Sequence, residues 1–164
     1  MAVSETVRAY YAAKIWANSG RGKVPRNFAP LDGPETGRSS VEGCAGGGKN
    51  ILEIRLRGED GRVADVRASC GLCNPAMYAA ADVLCDWARG RTFEDVLAAD
   101  PADPRALDPF FAALGGADRP EDAREKLQYA LAAVANAVRA HLGESPAPLP
   151  RIARPPGSED DVGG

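Results

Sequence analysis

The sharpest constraint on this chain is a change of hydrophobic period. Leu52, Ile54 and Leu56 alternate with Glu53, Arg55 and Arg57; after Gly58-Glu59-Asp60-Gly61, Ala64, Val66 and Ala68 alternate with Asp65, Arg67 and Ser69. A period of two on both sides of a Gly/Asp turn predicts a β-hairpin with one buried face. Beyond Cys73 the period becomes helical. Asn74-Pro75 reads as an N-cap and first helical residue, opening a helix over 75–89 with Gly90 as its stop. A sheet with one apolar face followed by amphipathic helices must bury that face against them. The expected fold is α+β, a small antiparallel β-sheet packed on one face by helices.

Other segments fill in this outline. Val7, Tyr10, Tyr11, Lys14, Ile15 and Trp16 have roughly helical spacing behind Ser4, which predicts an N-terminal helix over 4–18. Residues 18–48 are rich in Gly, Pro, Ser and Asp and read as an irregular connector with one short strand near 40–43. A short helix is expected at 92–97, then a loop punctuated by Pro101, Pro104 and Pro109. Leu127, Leu131, Val134, Val138 and Leu142 form one stripe of a final helix ended by Gly143, with Asp118 and Glu121 at capping-box spacing around Pro120. The reading is a single domain over 1–143 and a disordered Pro/Gly/acidic tail over 144–164.

Composition narrows the function classes. With 45% hydrophobic residues in 164, the chain can bury a core. A net charge of −3 and a lone basic run, Arg21, Lys23 and Arg26, argue against nucleic acid, which demands a clustered basic face. No run approaches the ~20 apolar residues of a membrane span, and the N-terminus does not read as a signal peptide. A cytoplasmic protein is expected. In that reducing setting four cysteines read as ligands, catalysts or core residues before disulfides.

Cys44, Cys70 and Cys73 each stand at a Gly-rich or turn-rich junction ending a strand-like run. Cys70-Gly71-Leu72-Cys73 abuts the N-terminus of the 75–89 helix, where the dipole and unpaired N–H groups favour a thiolate suited to metal or sulfur transfer. Cys85 lies twelve residues past Cys73, well over 10 Å along a helix at about 1.5 Å per residue, and recurs with Met77 and Ala81 every four residues. It reads as a buried hydrophobe. His141 suits a helix C-terminus on the surface, and Asp82 and Asp86 read as a solvated helix face. Gly46-Gly47-Gly48-Lys49 lacks the spacing of a phosphate loop and leads into a strand, so nucleotide binding is rejected.

Ser4-Glu5-Thr6-Val7 with Tyr10-Tyr11, Pro25-Arg26-Asn27 with Leu31-Asp32, Gly43-Cys44, the hairpin with Asp65, Cys73, and Trp87-Ala88-Arg89-Gly90-Arg91-Thr92 follow one another in an order that resembles the IscU/NifU family of iron-sulfur cluster assembly scaffolds. The resemblance spans 4 to about 142 and implies the SufE/NifU-like fold. It also implies a non-enzymatic carrier holding a transient cluster, expected as [2Fe-2S], on three cysteines and an aspartate. Cys44 matches the first family cysteine and Cys73 the second. The family aspartate falls on Gly46, and the third cysteine falls within Lys126-Leu127-Gln128-Tyr129, where there is none. Two readings stay open: Cys70 completes a rebuilt site of Cys44, Cys70 and Cys73 for iron and sulfide, or Cys70 and Cys73 are a redox dithiol, a zinc site or remnants. The implied partners are a cysteine desulfurase and apo iron-sulfur acceptor proteins, with a homodimer left open. Val41-Glu42-Gly43-Cys44 also fits the sulfur-acceptor turn of SufE, which is the alternative function. The third reading is a fold-retaining, non-catalytic subunit of a larger complex.

Overall fold

Hairpin periodicity, turn chemistry and the helical stripes assemble into a three-stranded antiparallel sheet of order β1-β2-β3 covered by helices. The computed structural model describes residues 3–16, 24–42, 51–71 and 73–149. Helix α1 (Glu5–Tyr10) starts at Ser4, whose hydroxyl accepts from Val7 N–H, and continues as a π-helical segment, Tyr11–Trp16. A 3₁₀ turn at Arg26–Phe28 leads to β1 (Gly37–Glu42). Strands β2 (Ile51–Glu59) and β3 (Arg62–Cys70) follow, then α2 (Pro75–Ala88), α3 (Phe93–Ala98), α4 (Asp108–Leu114) and α5 (Glu121–His141).

The hairpin closes at Asp60-Gly61, both at positive φ (54° and 74°), as a two-residue turn matching the strands' right-handed twist requires. Leu52, Ile54, Leu56, Val66 and Ala68 are fully buried, as the alternation predicts. One position departs from it. The register runs Arg57↔Asp65 and then Gly58↔Val63, so Ala64 is bulged out and Val63 takes the core place expected of Ala64.

Helix α5 lies along β1 and β2, and α2 packs on β3 and α5. Close approach demands a bare backbone at Gly37, where an added Cβ would collide with the Ala137 carbonyl of α5. Ser39 Oγ donates to Ala133 O on the same helix. Two expectations are corrected. The proline-punctuated loop holds a 3₁₀ turn, Pro104–Leu107, and α4, because Pro104 and Pro109 sit at helix starts, where no N–H is missed. The N-cap of α5 is Pro120 without a side-chain bond; Asp118 instead accepts from Thr6 Oγ1 at 2.5 Å and Asp122 from Ser4 N–H at 3.0 Å, tying α1 to α5. Among the described residues no helix is long and apolar enough to cross a membrane.

Candidate functional site

Strand β3 ends at Cys70 and α2 begins at Pro75, so the cysteine turn hangs between two core elements. Asn74 caps α2, its Oδ1 accepting from Met77 N–H at 2.9 Å. The Cα atoms of Cys70 and Cys73 lie 5.7 Å apart, inside the window in which a disulfide closes, and their sulfurs are joined. The expectation of ligands before disulfides therefore differs from the structure at this turn. The reason is local: Cys70 ends a strand and Cys73, only three residues on, precedes a helix cap, which brings the two thiols together. Cys85 is wholly buried, and burial pushes its thiol well above the ordinary range, as a core residue implies. Cys44 and Gly46 lie outside the described residues.

Strands β1 and β3 run parallel on either side of β2; Glu42 pairs with Ile51 and Cys70 with Leu52. Both strands thus end at one edge of the sheet. Beside Cys70 lies a cavity of about 350 Å³ walled by Tyr11, Trp16, Pro25, Phe28 and Tyr78. Tyr78 Oη donates to Cys70 O at 2.9 Å, and its ring packs on Phe28 at 5.5 Å and Tyr11 at 6.1 Å. Trp16 at this rim is 60% exposed. Among the described residues no group of three His, Cys, Asp or Glu side chains stands in metal-binding array. Within Lys126-Leu127-Gln128-Tyr129, the stretch matching the family's third cysteine, Gln128 is buried and its amide donates to Pro101 O at 3.0 Å. His141 Nδ1 shares a hydrogen bond with Thr36 Oγ1, 2.7 Å away, and its ring packs at a tilt against Phe93.

A buried polar network ties β3 to α2 away from the turn. Asp65 on β3, 3% exposed, accepts from Arg67 Nε, Arg89 Nε and Asp32 N–H at 2.9–3.1 Å. Burial alone would raise its pKa, but the Asp32 N–H and the two guanidiniums outweigh that and hold it below the usual carboxylate range. Arg89, just past α2, also donates to Asn27 Oδ1 at 2.7 Å and Val66 O at 2.9 Å. Asn27 in turn donates to Asp82 Oδ1 at 2.8 Å and Asp86 Oδ1 at 3.0 Å. Tyr10 Oη donates to Asp82 Oδ2 at 2.5 Å. Asp82 is therefore not on a solvated face. Burial raises its pKa despite the bonds from Tyr10 and Asn27, and raises that of Tyr10 as well. Only Asp86 is exposed. The missed signal is the setting of Asp82 among Ala79, Ala80, Ala81, Val83 and Leu84: a helix apolar nearly all round is buried, and so is a polar residue within it. The network joins Tyr10, Asn27, Asp32, Asp65 and Arg89, scattered sequence positions that it locks onto the two elements flanking Cys70 and Cys73.

The order and packing of the strands and helices belong to a known architecture. A crystal structure of a NifU-like protein (N-terminal) from Brucella abortus superposes with a TM-score of 0.53 at 16% identity, covering 86% of this chain and 100% of that one. A protein described only as hypothetical, determined at 2.3 Å, gives 0.52 at 16% identity, over 80% of this chain and 98% of that one. No family model matches the sequence, and no curated protein matches it. The chain therefore has the NifU-like α+β fold, a relationship of structure.

Proposed function

We propose that this protein is an iron-sulfur cluster carrier in which Cys70 and Cys73, with Cys44, hold iron and sulfide for transfer to acceptor apoproteins. The observation that carries the reading is the juxtaposition of the Cys70 and Cys73 sulfurs on a turn whose flanking strand and helix are braced by the Asp65–Arg89 network. A cluster needs convergent thiolates on a rigid frame, and Cys thiolates are its ordinary ligands. Cys44 follows the end of β1 by two residues in sequence, and β1 and β3 end at the same edge. The NifU-like fold agrees with this reading. As a disulfide the pair ligates nothing. Loading requires two electrons and two protons from a dithiol reductant, giving two thiols that release their protons on binding iron. On this reading a cysteine desulfurase supplies persulfide sulfur, a second two-electron equivalent of the dithiol reductant releases it as sulfide, and the acceptors are apo iron-sulfur proteins.

The test is anaerobic reconstitution of the reduced full chain with ferrous iron and sulfide. Visible absorption and near-stoichiometric sulfide are expected, lost in Cys73→Ser and Cys70→Ser and kept in Cys85→Ser, whose sulfur is enclosed by the core. Stoichiometric zinc without sulfide would replace the cluster with a zinc site. Equal loss in Cys85→Ser would defeat the assignment. A persulfide accumulating on Cys44 alone, with the other two dispensable, would move the protein to the sulfur-acceptor class.

A further inference from the structure

The chain does not stop at the end of α5. Gly143, at φ 75°, turns it back, Glu144 N–H donates to Arg139 O at 2.8 Å, and residues 144–149 run beside the helix. Of the segment expected as disordered tail, this part is held at Glu144 and at Ala147. Asn136 grips Ala147 with both ends of its amide: Nδ2 donates to Ala147 O at 3.1 Å, and Ala147 N–H donates to Oδ1 at 2.9 Å. Arg139 fixes the orientation of that amide by donating to the same Oδ1 at 2.9 Å.

A side-chain amide satisfying the N–H and C=O of one residue reads backbone, not side chain. It needs an extended segment with a free N–H at one defined position. In Pro146-Ala147-Pro148 the flanking prolines have no N–H and favour extended backbone, so Ala147 alone can engage and the register is fixed. The resident segment fits incompletely. Ala147, Pro148 and Leu149 wall, without filling, a cavity of about 380 Å³ whose other side is Leu97, Pro101 and Ala132. Leu149 remains 45% exposed.

We infer that the groove between α3 and α5 is a recognition site for an extended Pro-x-Pro segment of another protein, with this chain's own residues 146–148 as its displaceable occupant. Main-chain bonding supplies the register, and the unfilled cavity admits a larger side chain than the resident one. The tethered occupant, at an effective concentration on the order of millimolar, lowers the apparent affinity for any free peptide.

The experiment titrates a fluorescent Ser-Pro-Ala-Pro-Leu-Pro peptide, and its counterpart with glycine for proline, into the full chain. Ala147→Pro removes the resident N–H and releases the occupant, so this variant should bind the proline peptide at least about tenfold more tightly than the unaltered chain. Asn136→Ala should not bind it, and the glycine peptide should be weaker throughout. Amide exchange on the unaltered chain supplies a readout free of folding effects: the Ala147 N–H should be protected, and saturating peptide should expose it. Equal affinities across the three chains, or no binding to a folded Ala147→Pro, overturn the inference. So does a concentration-dependent dimer abolished by Ala147→Pro, which would assign the groove to a second copy.

Discussion

The cysteine turn and the polar network that ties β3 to α2 make an instructive contrast. Both draw on residues that stand out in the sequence, and both join β3 to α2, the turn where the strand ends and the helix begins, the network from mid-β3 to the far end of α2. In the network, each buried polar side chain is answered: Asp65 has two guanidiniums and an N–H, Asn27 has Arg89 and two aspartates, and Asp82 has Tyr10 and Asn27. In the turn the sulfurs answer only each other. A satisfied buried network holds one geometry and has no capacity left for a ligand. A pair of thiols released by reduction has just that capacity. The contrast separates what positions the site from what would act in it.

The strongest way to break the comparison is to remove the brace. Arg89→Ala strips Asp65, Asn27 and Val66 O of a partner at once, leaving a nearly buried carboxylate with one guanidinium. A loss of about 3–5 kcal/mol is expected in denaturant unfolding. Arg89→Lys should restore little, since one ammonium cannot reproduce a planar fork. A loss under about 1 kcal/mol would show that the network does not hold β3 and α2 together.

The turn should behave oppositely. Cys73→Ser is expected to cost about 2 kcal/mol under oxidising conditions, the loop-entropy value for so short a closure, and next to nothing under reducing ones. An equal loss in both conditions would mean that Cys73 matters through packing. Tyr10→Phe removes one bond to a buried carboxyl and should cost about 1–2 kcal/mol, sharpening how much of the network belongs to α1.

The smallest effect is in pH dependence, where the two carboxylates pull in opposite directions. Asp65 has a depressed folded pKa, so its contribution is present above about pH 4 and fades as pH falls through the folded value. Asp82 has a raised one; below about pH 4 it is protonated in both states, and as pH rises the unfolded chain ionises first and is favoured. Asp82→Asn should therefore gain stability relative to the unaltered chain between about pH 4 and neutrality, measured by unfolding midpoints, while Asp65→Asn should flatten the acid limb. A difference of constant size across that range would refute the opposed roles.

Periodicity, punctuation and caps determined much of this protein in advance. Alternation gave the hairpin and its buried face, Asp60-Gly61 its turn, Asn74-Pro75 the start of α2, and the Leu127–Val138 stripe the long helix. These are local properties, set by side-chain direction and backbone preference within a few residues. Cys85 was legible as core for the same reason.

What escaped the sequence was decided by elements meeting across the chain. The bulge that gives Val63 the place of Ala64 depends on pairing with β2 and on the contact of Gly90 N–H with Val63 O. The burial of Asp82 depends on Tyr10, 72 residues away, and Asn27, 55 away. The grip of Asn136 on Ala147 depends on Gly143 reversing the chain. A sequence records which groups can bond or titrate; whether a carboxylate faces water or a guanidinium is an energy of position, and position exists only once the chain has closed on itself.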